Sequence, residues 1–134
     1  MPRYFADSWY FIARIDPFDA QATAVRRLDD RIPRRDLVTH DAVLVEVLTF
    51  FSGEGAVIRG RAVFTVRSML TEINVVPGDR QLFLTALDLY ARRPDKEYSL
   101  VDCMSMVVMK DLGLTHVLTN DHHFRQEGFT VVNE

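Results

Sequence analysis

The sequence is sparing with the residues that staple or interrupt a chain. A single cysteine, Cys103, occurs among its 134 residues, so no intrachain disulfide can form. It lies in the apolar run Val101-Asp102-Cys103-Met104, where a thiol behaves as a small buried hydrophobe, and such usage fits a reducing compartment. Glycine and proline are isolated punctuation; there is no linker rich in them, no low-complexity tract and no internal repeat. No apolar stretch approaches the ~18 residues needed to span a membrane. The N-terminal residues, with Asp7 and Arg14 among aromatics, lack the charged-then-apolar order of a secretion signal. A soluble, cytoplasmic protein is expected. The common nucleotide loops are missing too: Gly53-Glu54-Gly55 has no third glycine at the required spacing, and no Gly-Lys-Ser/Thr ending occurs. Without a Gly-x-Ser-x-Gly elbow, an esterase reading also falls away.

An excess of positive charge is likewise absent. The net charge of −3 argues mildly against non-specific nucleic-acid binding, which depends on local cations at phosphates. Acidic side chains gathered around divalent cations invert the local field and supply the positive charge a phosphodiester needs.

What is present is the material of one globular unit, with 48% hydrophobic and 26% charged residues, so residues 1–134 are expected to form a single domain. Short β-type runs at 4–6, 37–39, 73–76, 116–119 and 130–132 alternate with helical-period segments at roughly 8–14, 19–30, 41–51, 57–71, 79–92 and 100–112. Strands separated by helices imply parallel pairing through crossovers, hence a three-layer α/β/α sandwich around a short parallel sheet.

Acid interrupts these otherwise apolar elements in few places. Asp7 follows the first strand, at the carboxyl end where open α/β sheets form their crevices; an ordinary N-cap explains it equally well. Glu46 has Ala42, Val43 and Phe50 at helical spacing, surroundings in which a carboxylate must raise its pKa, find a partner or bind a cation. The simpler reading is a narrow polar stripe shared with Thr49. Asp102 fits a capping box with Ser99, yet the turns after it are apolar up to Lys110 except for Ser105, so it faces an interior or a cleft edge. Asp121 ends the fourth strand, where a turn aspartate is the plain alternative. Four independent caps at these positions would be a coincidence, and the joint pattern points to one shared acidic site.

The order of these segments resembles a known family. Tyr4-Phe5-Ala6-Asp7-Ser8, Val45-Glu46-Val47-Leu48, Tyr98-Ser99-Leu100-Val101-Asp102-Cys103 and Leu118-Thr119-Asn120-Asp121-His122-His123-Phe124, closed by Gly128-Phe129, resemble the PIN-domain nucleases, and within them the VapC toxins of toxin–antitoxin pairs. The resemblance spans nearly the whole chain. It implies that Asp7, Glu46, Asp102 and Asp121 line one pocket, bind Mg2+ or Mn2+ and hydrolyse RNA, with Ser8 and Thr119 as supporting hydroxyls. It further implies a homodimer and an antitoxin partner whose segment occupies a groove. The His122-His123 pair departs from the family's usual mixed turn.

Other residues read more blandly. His122 and His123 are adjacent, diverge on a turn and cannot form a helical zinc pair; an exposed turn is expected. His40 flanks a helix start and His116 a strand. The arginines are spread over several elements, so no RNA groove can be picked out. The apolar residues from Ala56 to Leu70, among them Val57, Phe64 and Met69, are expected mostly to pack into the core, although related toxins use this region for dimer and antitoxin contacts. Two other classes fit the acids less well. A phospho-accepting receiver would carry paired acids after the first strand, and a non-catalytic module of the same fold would have lost its acids. A housekeeping RNA-processing nuclease shares every feature of the leading reading.

Overall fold

The computed structural model describes residues 2–134. Five short strands, β1 (Tyr4–Ala6), β2 (Leu37–His40), β3 (Asn74–Val76), β4 (His116–Leu118) and β5 (Thr130–Val132), form one sheet in the order β3-β2-β1-β4-β5. All four pairings are parallel. The chain steps from β1 outward to β2 and β3, then returns to β4 on the other side of β1, so strand order reverses between β1 and β4. That reversal opens a crevice at the carboxyl ends of these two strands.

Among the described residues, seven α-helices join the strands: α1 (Ser8–Ile15), α2 (Ala22–Arg31), α3 (Asp41–Phe50), α4 (Ala56–Glu72), α5 (Arg80–Arg92), α6 (Leu100–Leu112) and α7 (His123–Gln126). Helices α1 to α4 pack on one another and α5 packs along α6, giving the expected α/β/α arrangement. The starts of α3, α5 and α6 follow from local caps. His40 accepts from the Ala42 N–H at 3.2 Å and Asp79 from the Leu82 N–H at 2.8 Å, satisfying donors with no helical partner. Helix α6 opens with a complete capping box between Ser99 and Asp102 and ends at Gly113, whose φ of 68° is the left-handed conformation that glycine adopts without strain.

Several boundaries differ from the sequence reading by a residue or more, and the short helix α7 lies where a turn was expected. The helix expected from residue 19 begins at Ala22, because the Asp19 carboxylate accepts from the Gln21 N–H at 2.7 Å and closes a local turn instead. Thr119 lies just beyond β4, freeing its hydroxyl for the crevice.

The core is centred on Phe5, Tyr10, Phe11, Phe51, Phe124, Met106 and Met109. In α6 every residue from Cys103 to Met109 is buried, so this helix is enclosed on all sides and its first turn is held rigidly beside the sheet. Cys103 is a free buried thiol, as expected. Helix α4 corrects the sequence reading: Met69 is buried, but Val57 is 79% and Phe64 73% exposed. A helical apolar period looks the same whether the stripe faces this chain's core or another surface. Among the described residues, no helix is long and apolar enough to cross a membrane.

Candidate active site

The crevice between β1 and β4 receives side chains from three elements. The register pairs Phe5 with Val117 and Ala6 with Leu118, and one step further brings Asp7 alongside Thr119. The Thr119 hydroxyl donates to Asp7 Oδ2 at 2.8 Å and accepts the Asp121 N–H at 3.1 Å, so one hydroxyl ties two acids together. Asp7 occupies the N-cap position of α1 yet makes no side-chain cap bond. The residue is 5% exposed. Burial pushes its pKa up from 3.8 to about 7, against the lowering pull of the Thr119 hydroxyl and the Ser8 N–H, while the charges of Asp102 and Glu46 raise it further.

Asp102, from the first turn of α6, turns a half-buried carboxylate to the same place. Its Oδ2 accepts from the Ser99 N–H at 3.0 Å. Burial raises its pKa, opposed by that bond, and the charge of Asp121 adds to the rise. Asp121 closes the turn after β4 through its Oδ1, which accepts from the His123 N–H at 2.9 Å.

His123 corrects the sequence reading. Far from lying on an exposed turn, its Nδ1 is sealed from solvent without an aligned hydrogen-bond partner. It lies 3.2 Å from Asp121 Oδ1 and 3.6 Å from Asp102 Oδ2. Asp102, Asp121 and His123 each offer one donor atom, and the three atoms lie within 4.8 Å of one another. Asp7 and Glu46 stand outside this tightest set: Asp7 joins it through Thr119, and half-buried Glu46 on α3 is linked through its charge on Asp7. His122 points elsewhere, its Nδ1 3.0 Å from Arg125. The sequence signal for His123 was its place two residues after an aspartate in a turn, where the Asp carboxylate caps the His N–H and turns the ring back.

The chemistry of this donor set fits a divalent cation. Asp7 and Asp102, whose ionisation is resisted by burial and by neighbouring charge, and a buried ring nitrogen lacking a partner are all satisfied by one positive charge.

Comparison with known proteins accords with this fold. A family model described as PIN domain matches residues 4–129. The crystal structure of Mycobacterium tuberculosis VapC20, a toxin that cleaves the sarcin-ricin loop, superposes with a TM-score of 0.86 at 26% identity, covering 98% of this chain and 99% of that one. FitAcB from Neisseria gonorrhoeae matches with a TM-score of 0.69 at 16% identity, covering 97% of this chain and 96% of that one. DNA-bound VapBC from Salmonella typhimurium matches at 0.66 and 17%, covering 98% of each. At that identity the latter two bear on the fold alone. No curated protein matches the chain in sequence.

Proposed function

Since the chain belongs to the PIN-domain family, we propose that it is a divalent-metal-dependent endoribonuclease and the toxin member of a VapC-like toxin–antitoxin pair. The observation that carries this reading is the convergence of Asp102 and Asp121 beside Asp7 at the strand-order reversal, in a crevice open enough to leave Asp121 36% exposed. Asp7, Asp102 and Asp121 hold the ion, Mg2+ or Mn2+, and Glu46 completes the shell or orients the attacking water. When bound, the cation supplies the positive charge that a phosphodiester requires and acidifies the water that attacks phosphorus in line. Thr119 fixes the Asp7 rotamer by donating to it, and Ser8 lends its N–H; both favour the ionised carboxylate that ligation needs. The capping bond from Ser99 does the same for Asp102.

RNA as substrate is supported by the likeness to a toxin that cleaves an RNA loop. An antitoxin partner and a homodimer are supported by the apolar residues left outside the core, Val45 and Phe50 on α3 and Val57 and Phe64 on α4, each more than half exposed. Cytoplasmic action follows from that substrate and partner.

Incubation with total RNA in Mn2+ or Mg2+, against an EDTA control and with products mapped at nucleotide resolution, tests the reading. A reproducible metal-dependent cut that Asp7→Asn abolishes is expected. Undiminished cleavage by that variant, or none by the wild type with either ion, overturns it.

A further inference from the structure

The geometry points to His123 as a nitrogen ligand of the site ion, through Nδ1, with a consequent bias of this site toward Mn2+ over Mg2+. The inference rests on the nuclease reading for the existence of the ion, but it concerns a residue outside the four acids.

Three observations place the ring. Its backbone N–H is held by Asp121 Oδ1 at 2.9 Å, which fixes where the side chain leaves the chain. Its ring packs against that of Tyr98 at 61°, with centroids 5.5 Å apart, and Tyr98 is itself buried. Its Nδ1, without solvent access or an aligned partner, faces carboxylate oxygens of Asp121 and Asp102 at 3.2 and 3.6 Å. A ring nitrogen left thus carries the desolvation penalty of an unmade hydrogen bond, about 1–3 kcal/mol in general.

Cation coordination removes that penalty. Neighbouring donors on one octahedral ion at ~2.1 Å lie roughly 3 Å apart, close to the separations from Nδ1 to the two carboxylates. The alternative, a structural imidazole hydrogen-bonded to one aspartate, is not made here: Asp121 Oδ1 lies 3.2 Å from Nδ1 without hydrogen-bond alignment.

The chemical consequence follows from the donor type. Mg2+ is satisfied by oxygen and water, whereas imidazole nitrogen favours the later, softer divalent ions. Replacing one oxygen position by nitrogen therefore gains more affinity for Mn2+ than for Mg2+.

Pulsed electron paramagnetic resonance of the Mn2+-loaded protein reads the ligand directly, because a coordinated imidazole gives 14N modulation. Modulation is expected in the wild type and in His122→Gln, and its loss in His123→Gln. The same variant should weaken Mn2+ binding by calorimetry roughly tenfold, the order seen when even an outer partner of a metal site is removed, and Mg2+ binding distinctly less. Mn2+ bound to the wild type without 14N modulation overturns the inference and leaves the nuclease reading intact. Absence of any Mn2+ binding overturns both. Equal losses of Mn2+ and Mg2+ affinity in His123→Gln overturn the selectivity.

Discussion

Asp7→Asn should make the metal-free protein more stable while destroying its proposed activity. In the folded chain the Asp7 pKa stands at about 7 against 3.8 for a free carboxyl, chiefly through burial. A carboxyl whose folded pKa is raised binds its proton more tightly in the native state than in the unfolded one. Its contribution is therefore fully present below pH ~4 and is lost as pH rises through 7. Above that, the folded protein holds a buried anion beside Asp102 and Glu46. The separation of about 3 units, at roughly 1.4 kcal/mol each, sets a ceiling of ~4 kcal/mol on the resulting destabilisation. Asparagine is neutral at every pH, nearly isosteric, and still offers an oxygen to the Thr119 hydroxyl.

Thermal unfolding in EDTA is the assay. At pH 8 the variant should melt higher by ~10 °C if most of that free energy is recovered, at roughly 3–5 °C per kcal/mol for a domain of this size. At pH 4 the two proteins should converge. Saturating Mn2+ should then raise the wild type by an amount set by mass action, ~2.7 kcal/mol at a hundred times Kd, with no comparable gain for the variant. Equal melting temperatures at pH 8, or a difference that persists unchanged at pH 4, would refute the claim that this carboxylate is held against its own ionisation.

Two further outcomes are expected. His40 is fully buried, with Nδ1 accepting from Ala42 and Nε2 2.9 Å from Ser105 Oγ, and burial lowers its pKa from 6.5 to about 4; the neutral ring therefore stabilises the fold above pH ~6.5, and up to ~3 kcal/mol is lost as pH falls to 4. Urea titrations at pH 7 and 4.5 in the Asp7→Asn background should show that loss, and a flat profile counts against it. Phe64→Ser on α4, where the ring is 73% exposed, should change denaturant stability at low protein concentration by less than ~0.5 kcal/mol yet weaken self-association in sedimentation; a loss of several kcal/mol would mean that the ring is core after all.

The sheet was legible because its strands are rich in β-branched and aromatic residues, from the fully buried Leu37–His40 to the part-exposed edge strands Asn74–Val76 and Thr130–Val132, even at three or four residues each. The positions of Asp7 and Asp121 were legible because acid broke those runs at the ends where parallel sheets open. His123 was not, since periodicity carries no information about a side chain turned inward by an Asx turn. Neither was the outward face of α4: apolar spacing fixes that a stripe exists, and only the packed chain decides what it meets.

The capping and functional readings of Asp102, which compete when only the sequence is in view, are one arrangement in space. The oxygen that accepts from the Ser99 N–H, Oδ2, is the same atom that lies 3.6 Å from His123 Nδ1. A carboxylate oxygen has lone pairs enough for both partners, and the cap bond pins the rotamer that presents it to the crevice. Asp7 follows the opposite course, sitting where a cap is expected and giving its oxygen to Thr119 across the sheet instead. In both cases the local rule is bent only as far as the crevice requires, by a neighbour that orients the acid without neutralising it. Thr119 and Ser99 donate hydrogen bonds but bring no positive charge, and so leave the acids' charge to be met by a cation.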